Sequence, residues 1–211
     1  NEKNVDIAIF ETGLGGRYDS VTACKANIQL FTKISIDHAH ILGNTIEEIA
    51  LDKSCAIHKN SNCFSVRQTN NVENILTQKA MDMSASLTFT KHQDNKVYKS
   101  NLLGSHQIEN TQLAINAAKH IIDIKKDAMQ RGLNNVQWRG RMELLYSEPN
   151  VYFDVAHNDD SIIAFCDTID SLNHNGDKTL IISVQESKSI EKSIKQLEQR
   201  FSKIIITQLN N

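Results

Sequence analysis

The sequence holds one proline in 211 residues, Pro149, so few of its loops are stiffened. Its four cysteines, Cys24, Cys55, Cys63 and Cys166, form no CxxC pair. That argues against a zinc site and against a disulfide framework, and makes a reducing cytoplasm the expected setting. No apolar run approaches the roughly 20 residues that span a bilayer. A net charge of -2 gives no electrostatic case for nucleic acid or an acidic membrane surface. Neither is an expected partner, and the chain is expected to be a monomer. There is no GxGxxG, so a dinucleotide fingerprint is not supported. No internal repeat or low-complexity segment is present. What remains is ordinary for a globular protein: 40% hydrophobic and 23% charged residues, with length for one large domain or two small ones.

Short apolar runs alternate with helical patterns along the chain, which predicts an α/β fold. Val5 to Phe10 and Ile28 to Ile36 read as buried parallel strands, the first ending in a glycine cluster. Thr45 to Ile57 reads as a helix, with Thr45 and Glu48 spaced as a capping box. Further expected elements are a strand at 62–67, a helix at 72–84, a strand at 87–90, a loop or hairpin at 91–101 and a helix at 107–124. A short helical turn at 127–132 then leads to a connector near Arg139 to Leu145. Strands at 151–155, 179–184 and 203–207, with helices at 160–172 and 189–201, predict a second parallel α/β unit. The chain begins and ends close to such runs, and the expectation is an internal piece of a longer protein.

Several residues are awkward as packing. Glu11 ends the first run and is followed by Gly13, Gly15 and Gly16. Ligands of open α/β sheets sit beyond the carboxyl ends of the strands, and an acid there suits Mg²⁺. A strand-end acid before an ordinary glycine turn is the plainer alternative. Asp37-His38 closes the second run, either at the same edge or as a core histidine beside a capping acid; nothing distinguishes the nearby His40. Lys53 falls on the apolar stripe made by Ile46, Ile49, Ala50 and Ile57. A lysine there either snorkels to water, pairs with a phosphate, or is modified to a metal-binding carbamate. In the second half, Gly104-Ser105-His106-Gln107 precedes a helix whose first turn holds Asn110. Simple capping and ligand binding by the helix end are both open. Arg141 in Trp138-Arg139-Gly140-Arg141 suits phosphate or ribose, or is an exposed linker residue. Asp154 and His157-Asn158 follow another strand; Asp154 suits a ribose hydroxyl, a metal-bound water or a strand-end cap.

The segments FETGLGGRYDS, SIDHAHILGNTIEEIA, the lysine of ALDKS, GSHQIENTQLAINAA, WRGRMELL and FDVAHN together resemble the folylpolyglutamate synthase / dihydrofolate synthase family of the Mur ligase superfamily. They occur in the family's order and cover almost the whole chain. The resemblance implies part of a P-loop-type central ATPase domain at 1–140, followed by the first half of a Rossmann-like parallel α/β C-terminal domain at 141–211. It implies Glu11 and His38 as Mg²⁺ ligands and Lys53 as a carbamylated lysine, with Lys53 and His38 in catalytic roles. It implies that Asn110, Arg141 and Asp154 contact ATP, with His157 beside them. The implied reaction is ATP-dependent joining of L-glutamate to a folate or dihydropteroate carboxylate through an acyl phosphate. Another Mur-type amino-acid ligase, acting on a peptidoglycan precursor, and a non-catalytic nucleotide-binding module are the competing readings. The sequence departs from the family at Val21-Thr22, where threonine-asparagine is usual, and along Ser54 to Asn60, which lacks the usual glycine and proline. Arg139 and Asp159 each stand where proline is usual, and no GxxxxGK[ST] is present. The phosphate loop is expected upstream of Asn1, so this piece alone is expected to be inactive.

Overall fold

In the first unit, three short strands run parallel in the order β1-β2-β3: β1 Ile28–Phe31, β2 Asn62–Ser65 and β3 Ser86–Phe89. The central strand β2 is buried at Cys63, Phe64 and Ser65, whereas the outer strands alternate. That is the pattern expected of a parallel sheet covered on its middle and open at its edges. The computed structural model describes residues 4–91, 98–174, 176–185 and 190–208. It divides into two compact units, Asn1–Thr90 and Lys91–Asn211.

Helices α1 (Ala39–Leu42) and α2 (Ile46–Ser54) connect β1 to β2, and α3 (Asn70–Asp82) connects β2 to β3. The capping box at the start of α2 is formed as expected, with Glu48 N donating to Thr45 Oγ1 at 3.2 Å and Thr45 N donating to Glu48 Oε2 at 3.1 Å. Val72, Leu76 and Ala80 lie one turn apart on α3 and are all buried. They join Phe31, Ile34, Ile49, Ala50, Ile57 and Cys63 in a single core.

The second unit holds α4 (Ser105–Ile121), α5 (Lys126–Asn134), an antiparallel pair β4 (Glu143–Ser147) and β5 (Asn150–Phe153), α6 (Asp159–Ser171), β6 (Thr179–Ile182), α7 (Ile194–Arg200) and β7 (Lys203–Ile206). Strands β6 and β7 pair in parallel. Ile162, Cys166 and Leu197 form the buried core between α6 and α7. Phe165 and Phe201 stack at their margin, ring centroids 6.1 Å apart. No helix among the described residues is long and apolar enough to cross a membrane.

Three expectations change. The segment 5–10 is not a strand: Ile9 is 93% exposed, and among the described residues no strand pairs with it. A strand without a neighbour leaves its amides and carbonyls to water. The stretch read as a connector contains β4, and β5 pairs with it antiparallel rather than opening a parallel series. Only Glu148 and Pro149 separate the paired ends Ser147 and Asn150. A two-residue link permits an antiparallel hairpin, whereas a parallel pair needs a crossover of a dozen residues or more. The expected turn at 127–132 is a nine-residue helix, α5. Most of the expected loop or hairpin at 91–101, and the start of the helix expected at 189–201, lie outside the described residues.

Within α5, a Cβ on Gly132 would meet nothing within 4 Å. Gly132→Ala is therefore expected to stabilise the protein by about 0.5–1 kcal/mol, because alanine loses less backbone freedom in a helix. Denaturant unfolding curves of the two proteins check this.

Candidate functional site

The glycine cluster after Glu11 is folded around two carboxylates. Asp19 Oδ2 accepts from Gly13 N and Leu14 N, each at 2.9 Å, and its Oδ1 accepts from Val21 N at 2.8 Å. The Leu14, Val21 and Gly13 amides hold the Asp19 carboxyl below the ordinary carboxylate range, and the positive charge of Lys53 adds to them. A depressed value means that Asp19 contributes stability above the ordinary carboxylate range and loses it as pH falls through the folded value. Asp52, on α2, reaches the other side of the loop. Its Oδ1 accepts from Gly16 N at 2.9 Å and from Arg17 N at 3.4 Å. Thr22 Oγ1 closes the loop onto Gly16 O at 2.7 Å.

Gly15 and Gly16 are both buried, and each has a reason to be glycine. Gly15 has a left-handed φ of 69°, and a Cβ there would lie 2.8 Å from Leu42 Cδ2. A Cβ on Gly16 would stand 2.7 Å from the backbone oxygens of both Asp52 and Lys53. The loop therefore lies directly on the last turn of α2, the turn that carries Lys53. Lys53 is half-buried, as its place on the apolar stripe requires, and its charge reaches Asp19.

His38 lies at the head of α1, separated from the end of β1 at Phe31, because the strand is shorter than its apolar run. Its backbone is left-handed, with φ 52° and ψ 38°, and its carbonyl accepts from Ile41 N and Leu42 N at 2.9 and 3.0 Å. A non-glycine residue held there costs roughly 1–2 kcal/mol, a cost found more often at functional positions than elsewhere. The Asp37 carboxylate accepts from His38 N at 2.7 Å. Glu11 is exposed ahead of the loop, and because 5–10 is not a strand it does not sit at a strand end. Among the described residues no three or more His, Cys, Asp or Glu side chains form a ready metal cage. Mg²⁺ does not require one: it keeps several waters and takes one or two protein ligands together with substrate phosphates. The exposed carboxylate of Glu11 is of the oxygen-ligand type that such an ion prefers.

In the second unit, Asp154 is the organising residue. Its Oδ2 accepts from Met142 N at 2.9 Å and its Oδ1 from Ala156 N at 2.8 Å. Gly140 N donates to Glu143 Oε2 at 2.8 Å, and Gly140 O accepts from Val155 N at 3.0 Å. Arg141 is thus flanked by two left-handed residues, Gly140 at φ 71° and Met142 at φ 48°, and is turned out to solvent. A Cβ on Gly140 would lie 2.7 Å from Val155 Cγ1, so this turn too is closed to larger residues. His157 is exposed, with its Nδ1 2.9 Å from Val155 O and its N donating to Ser161 Oγ at 3.0 Å. Asn158 caps α6 in a reciprocal box with Ser161. Asn110 donates from Nδ2 to Gln107 Oε1 at 3.4 Å in the first turns of α4. His106, beside them, feels the charges of Asp154 and Arg141, which ties this end of α4 to the Arg141 turn.

With this geometry in view, relatives can be placed beside the chain. No protein-family model matches it. The dihydrofolate synthase/folylpolyglutamate synthase of Bacillus subtilis is 30% identical over 221 residues, covering 92% of this chain and 51% of the relative. The dihydrofolate synthetase of Saccharomyces cerevisiae is 27% identical over 234 residues, covering 96% of this chain and 55% of the relative. This chain is a relative of the folylpolyglutamate and dihydrofolate synthases. Among solved structures, the Mycobacterium tuberculosis folylpolyglutamate synthase complexed with ADP superposes with a TM-score of 0.84 at 26% identity, over 97% of this chain and 52% of that one. A folylpolyglutamate synthase complex with AMPPCP and folate superposes with a TM-score of 0.90 at 20% identity, over 99% and 57%, and supports the fold. The chain thus spans about half the length of these synthases.

Two residues that shape the site, Asp52 and His106, were not singled out by sequence reasoning. Asp52 gave no local signal because its partner Gly16 lies 36 positions upstream. Asp19 carried a local signal that the sequence reading did not use: an aspartate shortly after a glycine turn, whose carboxylate can take up loop amides.

Gly16→Ala places a methyl group against two backbone oxygens that cannot step aside cheaply. It is expected to lift the loop from α2 and to speed tryptic cleavage after the exposed Arg17 at least fivefold under native conditions. Proteolysis followed by mass spectrometry checks this, with Gly132→Ala as the control that leaves that cleavage unchanged.

Proposed function

We propose that this chain supplies the metal-facing and adenosine-facing residues of an ATP-dependent ligase that joins L-glutamate to a folate or pteroate carboxylate. The observation that carries the reading is the seating of the glycine loop on the turn that presents Lys53, in a chain related to synthases of this kind. Residues 1–140 belong to the ATPase portion and 141–211 to the C-terminal portion. The whole protein works in the cytoplasm on small molecules, ATP among them.

The chemistry explains why such residues are wanted. A carboxylate is a poor electrophile. One of its oxygens attacks the γ-phosphorus of ATP, the bond to the ADP oxygen breaks, and an acyl phosphate forms. The α-amine of glutamate then attacks the acyl carbon, inorganic phosphate leaves with the electron pair of its bond, and the amine gives up a proton to solvent. Phosphoryl transfer of this kind depends mainly on positioning and on neutralising charge as it develops. When bound, Mg²⁺ supplies that neutralisation on the phosphate oxygens. In this reading Glu11 and His38 would hold the ion. Lys53, once its neutral amine has added CO₂ and lost a proton to become a carbamate, would join them from α2, beside the Asp52 carboxylate that holds the loop. Asn110, Arg141, Asp154 and His157 take the nucleotide. Asp154 spends both carboxylate oxygens on backbone amides, each with a lone pair to spare for a ribose hydroxyl.

The test is phosphate release by the complete protein with Mg-ATP, L-glutamate and either dihydropteroate or a reduced folate. Turnover is expected with at least one acceptor and none without it; no acceptor-dependent phosphate release would sink the proposal. Lys53→Met keeps the apolar stem and removes the amine. It is expected to leave stability within about 1 kcal/mol of wild type, since the stem does the packing, while lowering turnover at least 100-fold. Glu11→Gln is expected to raise the Mg²⁺ concentration needed for half-maximal turnover by roughly tenfold or more, the scale on which metal-site changes act.

A further inference from the structure

One polar atom in the second unit has no account in the roles assigned so far. His106 Nδ1 is buried, and among the described residues it has no hydrogen-bond partner. The ring folds back over Gly104: a Cβ on that glycine would stand 2.7 Å from His106 Cε1, 2.9 Å from His106 Nδ1 and 2.7 Å from Thr168 Oγ1 of α6. Thr168 Oγ1 already donates to Ala164 O at 2.7 Å. Nδ1 is therefore sealed between Gly104 and α6 with nothing to bond. Gly104 has φ 104°, a conformation side-chain-bearing residues rarely adopt, and its missing Cβ makes the space that the ring fills.

A sealed nitrogen fixes the tautomer. A buried N–H left without an acceptor is rarer in proteins than an under-satisfied acceptor. That preference assigns the proton to Nε2 and leaves Nδ1 with a bare lone pair. Burial pushes the imidazole below its ordinary value; Asp154 pulls it up, Arg141 pushes it down and Glu109 pulls it up, in that order after burial. The ring is neutral at neutral pH, with one N–H to offer, and it lies within reach of the charges of Arg141 and Asp154.

Resting on the reading of this unit as nucleotide-binding, we propose that His106 is a further nucleotide-binding residue: its ring is wedged by Nδ1 against Gly104 and α6 so that Nε2–H donates to an acceptor atom of the adenine nucleotide held beside Arg141 and Asp154. The histidine acts as a donor on a rigid mount, and the glycine before α4 is the socket of that mount. Neither acid–base chemistry nor metal binding is required of it.

The experiment measures ADP affinity of the complete protein by calorimetry for wild type, His106→Ala, His106→Gln, His106→Asn and Arg141→Ala. A glutamine amide nitrogen can reach the position of Nε2, whereas an asparagine amide reaches only that of Nδ1. His106→Ala and His106→Asn are expected to weaken ADP binding about tenfold, the scale of one hydrogen bond to a bound ligand. His106→Gln is expected to stay within threefold of wild type. A role in packing alone would make Gln and Asn equivalent, and that result overturns the proposal. If His106→Ala does not fold, the Gln and Asn pair decides alone, with thermal unfolding as the control for each. Wild-type affinity in all three histidine variants while Arg141→Ala weakens binding overturns the proposal and leaves the nucleotide reading standing. Unchanged affinity in Arg141→Ala as well removes the nucleotide reading, and His106 with it.

Discussion

The contact between the Asp52 carboxylate and the Gly16 amide is the one on which the first unit's site residues depend. It ties a loop whose own conformation is set by Asp19 to the final turn of α2. Without it the loop would keep only weaker ties to α2, the Arg17 amide on the same carboxylate at 3.4 Å and the Arg17–Asp52 ion pair at 3.9 Å. The two glycines that make the contact possible are buried, and the space they leave is taken by backbone and by the Asp52 side chain. An acidic residue directly before a half-buried lysine thus serves the backbone of the loop rather than the lysine.

The second unit solves a similar problem by a similar means. Asp154 does for the Arg141 turn what Asp19 and Asp52 do for the glycine loop: a carboxylate collects amides that have no strand or helix partner. Such charge-assisted bonds are about twice as strong as neutral ones. They suit loops that must be rigid without being buried. Both loops contain left-handed residues and both carry an arginine, Arg17 paired with Asp52 at 3.9 Å in one and the exposed Arg141 in the other.

How far the sequence could be read followed the range of the interactions. The α2 capping box was legible because Thr45 and Glu48 are three residues apart and report on each other. The inward phase of Lys53 was legible because helical period is a local property. The hairpin was not, because β4 is half-buried at Glu143 and exposed from Leu144 to Ser147 and so shows no apolar alternation. The segment at 5–10 misled for the opposite reason: it has the composition of a strand and, among the described residues, no strand beside it. The role of Asp52 was not legible because its partner Gly16 lies far off in the chain. His106 was legible only as part of the helix start at 104–107; a buried nitrogen with no partner among the described residues is something no sequence can announce.

The short link at Glu148-Pro149 has a mechanical consequence. Residues 140 and 155 are bonded to each other, Met142 is bonded to Asp154, and the strands between them are zipped by a two-residue turn. The stretch from 140 to 155 is therefore one paddle, closed by bonds at its base and at its turn, with a single register shift between Leu144 and Tyr146. Arg141 cannot be retuned by loop motion; it travels with the paddle. Any flexing that brings this arginine toward or away from a ligand must be taken up outside that stretch.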